Sequence, residues 1–287
     1  MTSNLSAAEL WPLPPALPQP VFSDQRWLDA VFLHWRIPEG VAAGFMPDGV
    51  QPDVFDGSSW VGLIGFRMEQ AGLGRGPGIP YLGSFNEVNV RLYSREADGT
   101  RGVVFLTLDA NRLPVVLATR AAGIPYVWSR IRHWPPFPGN GGQVQGITSE
   151  AAGGNRAGDF PLGYSVHRFG GSGARSDFTV IPRLRTAACD PLSIFLTARF
   201  GMHGRFHGRT IHVPNSHHEW PLFEADVHQI SDELVGAAGI PVSGAPESVL
   251  YSPGVRTRFG RPRLLGNGGE KVASCTSCTS CQPLPSV

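Results

Sequence analysis

One stretch of this chain collects titratable side chains on a single face. In Phe85-Asn86-Glu87-Val88-Asn89-Val90-Arg91-Leu92-Tyr93, the residues Val88, Val90 and Leu92 point one way. Phe85, Glu87, Asn89, Arg91 and Tyr93 point the other, because side chains alternate along a strand. Ala97-Asp98-Gly99 follows, and a three-residue loop with a left-handed glycine is a favoured hairpin connection. It pairs Glu96 with Thr100, and the register then sets Arg91 opposite Phe105, Asn89 opposite Thr107 and Glu87 opposite Asp109. Two facing carboxylates repel unless a proton, a cation or an arginine intervenes. On an enclosed face one of them would keep its proton to higher pH and serve in proton transfer. The same alternation also suits a face turned to water, and a slip of one residue would dissolve the pairing. Periodicity leaves these readings open.

Six of the nine histidines fall between His203 and His228. Imidazole clusters suit zinc and similar ions, yet no HExxH is present. On one strand His203 and His207 would share a face while His212 lies on the other, so no metal site is expected. His217-His218-Glu219-Trp220-Pro221 reads instead as a pocket edge, a flat apolar wall with a polar rim. Cys275, Cys278 and Cys281 are spaced like part of an iron–sulfur run, but Gln282-Pro283 stands where a further ligand belongs. The glycine-rich stretch 72–78 lacks a P-loop lysine, and no GxSxG elbow occurs. The chain has 23 arginines and one lysine, Lys271, so any chemistry needing a buried amine has a single candidate.

With 287 residues, 41% apolar and 16% charged, a buried core is within reach and a wholly disordered chain is excluded. The net charge of +1 gives no electrostatic case for nucleic acid or an anionic membrane. Cysteines are scarce and three of the four sit in the last thirteen residues, which points to a reducing, cytoplasmic setting rather than a disulfide framework. The first twenty residues lack the basic start and apolar stretch of a signal peptide, and no apolar run reaches a membrane span. The organisation expected is an irregular proline-rich leader over 1–22, one domain over 23–265 and a flexible Cys/Ser/Thr tail over 266–287.

Strand signals dominate that domain. They cover 31–37, 60–68, 85–93, 103–109, 124–133, 143–149, 163–169, 176–182, 204–213, 219–229 and 248–258. Short helices fit 38–47 and 231–238. Longer ones fit Asn111–Ala122, with Asn111 as N-cap, and Pro191–Phe200 behind an Asp190 cap. Many antiparallel-type strands with a few helices make an α+β protein.

Several separated pieces together resemble one family. WLDAVFLHW (27–35), WVGLIGFRM (60–68), FNEVNVRLY (85–93), LDANRL (108–113), GIPY (123–126), FLTARF (195–200), HHEWPL (217–222) and AGIP (238–241) are similar, in order, to the YqjF-like family DUF2071. That family is related to acetoacetate decarboxylases. The resemblance implies their fold, a cone-like, mainly antiparallel β-barrel with flanking helices around a central pocket. Those decarboxylases form a Schiff base through a lysine in a Gly-aromatic-Pro-Lys-Lys motif. The similar stretch here is Gly123-Ile124-Pro125-Tyr126-Val127, which puts Tyr126 where the amine should be. The resemblance also places Glu87 at the glutamate that stands beside that lysine.

The implied activity is acid/base chemistry on a small carbonyl or carboxylate compound without an imine. Glu87 and Asp109 would move a proton, and Tyr126 would donate to a carbonyl. Asn89, Thr107, His217, His218 and Trp220 would line the pocket, and Arg91 or Arg112 would hold a carboxylate. A barrel that binds or senses a ligand without chemistry is the second reading, and a protein using the 203–228 histidines or tail cysteines for metal is the third. A small-molecule ligand is the expected partner, with no nucleic acid, no membrane, no cofactor and no resident metal; self-association is left open.

Overall fold

The wall strands read as near-continuous apolar runs because both of their faces are covered. The computed structural model describes residues 12–74, 76–134, 161–171 and 173–265. Its strands are β1 (Ser23–Ile37), β2 (Val50–Pro52), β3 (Ser59–Leu73), β4 (Phe85–Glu96), β5 (Arg101–Ala110), β6 (Tyr126–Trp134), β7 (Leu162–Arg168), β8 (Arg175–Ala187), β9 (Gly201–Phe206), β10 (Arg209–His217), β11 (Phe223–Asp232), β12 (Ser248–Phe259) and β13 (Arg263–Leu264). The helices are α1 (Glu39–Ala43), α2 (Leu113–Ala121), α3 (Pro191–Thr197) and α4 (Leu234–Ala237). The fold is thus the expected α+β type, mostly strand and mainly antiparallel. None of the described helices is long and apolar enough to cross a membrane.

All thirteen described strands join one sheet, in the order β13-β10-β9-β5-β6-β7-β8-β11-β12-β1-β3-β4-β2. Two further pairings, β4–β5 and β10–β12, turn it back on itself. One circuit runs β4-β5-β9-β10-β12-β1-β3, and a second leaves β5 through β6, β7, β8 and β11 to rejoin at β12. The wall β12-β1-β3-β4-β5 is common to both. Along it, Val31, Leu33, Val61, Leu63, Val88, Val90 and Leu92 face one core with Tyr164 and Phe178. Phe32, Ile64, Phe66, Leu108 and Leu250 face the other with Tyr126 and Trp220.

The β4–β5 hairpin turns as the sequence predicts. Glu96 N–H donates to Thr100 O at 2.9 Å, Gly99 has φ +88°, and Arg91 faces Phe105. Past that pair the register departs from expectation. Leu106 is an extra residue on β5, a β-bulge, so Val90 pairs with Thr107, Asn89 with Leu108, Val88 with Asp109 and Glu87 with Ala110. One inserted residue sends Thr107 and Asp109 through to the opposite face of the wall.

A second correction concerns 204–213, expected as one strand. It is a hairpin, with β9 and β10 joined at His207-Gly208, both at positive φ (+48° and +76°). His203 and His212 therefore become direct cross-strand partners. Asp190 caps α3 as expected, accepting from Leu192 and Ser193 N–H at 3.0 and 3.1 Å. Asn111 does not cap α2: Arg112 holds the cap position, and the Asn111 amide oxygen accepts from Asn86 N–H at 3.2 Å. The strand expected at 143–149, Lys271 and the three tail cysteines lie outside the described residues.

Candidate functional site

Glu87 points into the β4-β5-β9-β10-β12-β1-β3 circuit, toward Phe66 on β3 and Ala110 on β5. It is 2% exposed. The Tyr126 hydroxyl, at the first residue of β6, donates to Glu87 Oε2 at 2.6 Å. Asn89 Nδ2 donates to Glu87 Oε1 at 3.3 Å. Burial raises the Glu87 carboxyl to about 7, against the pull of these two hydrogen bonds and with a push from the Asp109 charge behind the sheet. Burial and the adjoining Glu87 carboxylate also hold the Tyr126 phenol well above its ordinary value, so Tyr126 stays a donor. The Asn89 Oδ1 atom is buried without a hydrogen-bond partner among the described residues. A proton on Glu87 Oε1 would turn the Asn89 contact around and give that oxygen a donor.

Two residues further along the face, the Arg91 Nε donates to the Tyr93 hydroxyl at 3.4 Å, and Nη2 donates to Leu196 O at 3.4 Å. His34 on β1 meets the same hydroxyl at 2.7 Å through Nε2. Burial, then the Arg91 charge, holds His34 well below its ordinary value, so this buried imidazole is neutral at pH 7. Phe32, two residues before His34 on the same face, lies under Arg91 and edge-on to Trp220, whose ring centroid is 5.2 Å away. His217 packs on Trp220, and both of its ring nitrogens face backbone carbonyls, Nδ1 at 2.7 Å from His218 O and Nε2 at 3.2 Å from Arg199 O. The residues brought together are thus Glu87, Asn89, Tyr126, Arg91, His217 and Trp220.

Four expected site residues are elsewhere. Asp109 lies on the far side of the wall, fully buried, where Arg168 Nε and Nη2 clamp its two oxygens at 2.8 Å each and Ser129 donates at 2.6 Å. Thr107 is on that side too, its hydroxyl oxygen accepting from Arg168 Nη2 at 3.0 Å. Both corrections have the Leu106 bulge as their cause. Arg112 turns outward, donating to Tyr81 O at 3.3 Å and covering the Tyr81 ring. His218 is exposed and offers the site only its carbonyl.

Sequence reasoning missed three members of this region. His34 was hidden in an apolar strand, where its polar ring in VFLHWRI was the signal. Tyr93 shares the Glu87 face but was given no role. Arg199, 4% exposed, donates to Asp53 Oδ2 at 2.5 Å and lies over Tyr93 and Phe195. Burial lowers it to about 10 despite the Asp53 partner, so it remains charged. Two hollows, of about 430 and 190 Å³, open away from Glu87. The first is beside Gly76–Tyr81 and Arg256, the second between Phe45, Phe105 and Ile124.

Residues 24–256 match the profile of DUF2071, described as an uncharacterized conserved protein family. The chain belongs to this family. A DUF2071 relative, the uncharacterized protein YqjF of Bacillus subtilis (strain 168), is 24% identical over 225 residues, covering 78% of this chain and 83% of its own. Among solved structures, an acetoacetate decarboxylase-like enzyme from Sphingomonas wittichii RW1 superposes with a TM-score of 0.57 at 16% identity, over 93% of this chain and 99% of that one. The enduracididine biosynthesis enzyme MppR, in its complex with pyruvate, superposes with a TM-score of 0.54 at 14% identity, over 88% and 93%. These likenesses give the DUF2071 chain an acetoacetate decarboxylase-like fold.

Proposed function

We propose that this protein is a cytoplasmic enzyme acting on a small carbonyl or carboxylate compound by acid/base chemistry, with no Schiff base. The observation that carries this is the short Tyr126–Glu87 contact on a buried carboxyl poised near neutral pH. Such a carboxyl is half protonated at working pH and transfers a proton in either direction. Glu87 takes or returns the substrate proton. Tyr126 and Asn89, which donate to the Glu87 carboxylate, are released to donate to a substrate oxygen once Glu87 carries the proton. Arg91 receives the anionic end, with Trp220 and Phe32 as apolar walls. The free Asn89 oxygen is an acceptor waiting for a donor.

Imine chemistry is disfavoured because the single lysine, Lys271, is in the tail sequence and the resemblance to decarboxylases puts Tyr126 where their amine stands. The neighbour MppR binds pyruvate, which makes a 2-oxo acid a reasonable first probe. Incubating the full chain with pyruvate or acetoacetate and borohydride should leave its mass unchanged. A stable adduct on Lys271 would overturn the proposal. Once a compound is found to turn over, Glu87→Gln should fold and lose turnover; full activity of that variant would refute the role. The missing amine also favours a second reading, a binding protein without chemistry. A compound that raises the melting temperature and is recovered unchanged would select it.

A further inference from the structure

We infer that Glu96, His203 and His212 form a binding site for one divalent transition-metal ion of the zinc type, outside the Glu87 group. The β9–β10 turn sets the two histidines side by side, with ring centroids 4.9 Å apart. Glu96, the last residue of β4, completes a triad whose ligand atoms all lie within 4.8 Å of one another. Two imidazoles and a carboxylate are a donor set that suits zinc, nickel, cobalt or copper. A tetrahedral ion with bonds of about 2.0–2.2 Å needs its ligands closer, a shift within the reach of small side-chain rotations.

A second observation points to a ligand. His212 is 5% exposed, and both of its ring nitrogens are buried with no hydrogen-bond partner among the described residues. In either neutral tautomer a bare lone pair and a bare N–H are left inside the protein, a costly arrangement unless something binds there. The backbone is shaped to hold that ring: a Cβ on Gly201 would lie 2.1 Å from His212 Nε2. The His203 ring is oriented by Ser94, whose Oγ is 2.8 Å from Nδ1, while Nε2 is 3.0 Å from Glu96 Oε1. With Nδ1–H donating to Ser94, Nε2 presents its lone pair beside the carboxylate, and the two atoms need to part only slightly, to about 3.4 Å, to share one tetrahedral ion. Ser94 then acts as a positioning residue of the kind that orients metal-bound histidines.

Arg263 competes for this place, since its Nη2 donates to Glu96 Oε1 at 2.5 Å. Its side chain is 45% exposed, and exposed Asp98 at the hairpin tip is near enough to feel its charge, so it has somewhere to go. The ion would staple a weak seam. The parallel β5–β9 pairing that closes the first circuit has only two partner pairs, Val103–Met202 and Val104–His203. Glu96 lies at the end of the β4–β5 hairpin, on one side of that seam. His203 and His212 lie on the other.

The test is calorimetric titration of the full-length, untagged chain with Zn(II) after chelator treatment. The tail thiols are removed first by Cys275→Ser, Cys278→Ser and Cys281→Ser. One equivalent should bind. Adding His212→Gln should weaken binding about 100-fold, and Ser94→Ala about 10-fold. Arg263→Ala, a change at the half-exposed rim that does not disturb the core, should tighten binding by removing the competing cation. Absence of zinc binding to the triple-serine chain would overturn the inference. So would binding that a folded His212→Gln variant leaves unchanged, or binding that Arg263→Ala fails to tighten.

Discussion

Replacing Arg168 by leucine should destabilise the fold by about 3–5 kcal/mol, the cost of leaving a buried carboxylate without its partner. Asp109 has no exposed surface, and two of its three side-chain hydrogen bonds come from the Arg168 guanidinium. Ser129 alone cannot replace a bidentate, charge-assisted pair. The loss should appear as a lower urea midpoint with an unchanged slope. A double variant, Arg168→Leu with Asp109→Leu, should recover much of it, because the pair's own desolvation cost disappears along with its attraction. A single-variant loss under about 1 kcal/mol would mean that water reaches Asp109 and that the second core is not closed.

The Glu87→Gln variant should change the pH dependence of stability by about 3 kcal/mol. The carboxyl is raised from 4.5 to about 7 in the folded chain, and each unit is worth about 1.4 kcal/mol. Below pH 4.5 it is neutral in both folded and unfolded states. Between 4.5 and 7 only the unfolded chain releases the proton, so folding stability from this group falls as pH rises, and it levels off above 7. The buried neutral histidines His34, His203, His212 and His217 act in the opposite sense over much of this range. The wild-type curve alone is therefore a sum, and the difference between wild type and Glu87→Gln isolates the carboxyl. Relative to its standing at pH 4.5, the glutamine variant should gain on wild type up to pH 8. Parallel curves would show that Glu87 is not desolvated. A gain on removing a carboxylate is also a signature of a group kept at a cost to stability.

Much of the architecture was legible because the rules behind it are local. Alternation placed Glu87, Asn89 and Arg91 on one face, and Ala97-Asp98-Gly99 fixed the hairpin tip. The register beyond Arg91 was not legible, because the bulge at Leu106 falls where β5 passes from pairing with β9 to pairing with β6, and those partners are distant in the sequence. The His207-Gly208 turn was missed for a related reason. The strand signal continues on both sides of it, and the positive φ at His207 is unusual for a residue other than glycine. That omission separated His203 from His212 in the sequence reading. His34 and Arg199 were obscured by their apolar neighbours, and what marks them is burial with a polar partner, which only the closed barrel supplies.

The most direct measurement follows the carboxyl carbon of Glu87 by NMR in protein labelled with 13C at glutamate side chains, assigned by its disappearance in Glu87→Gln and titrated from pH 4 to 9. A buried proton-transfer group bonded to Tyr126 predicts a midpoint near 7. A midpoint in the ordinary glutamate range, about 4–4.5, would place that carboxylate in water and contradict the acid/base account.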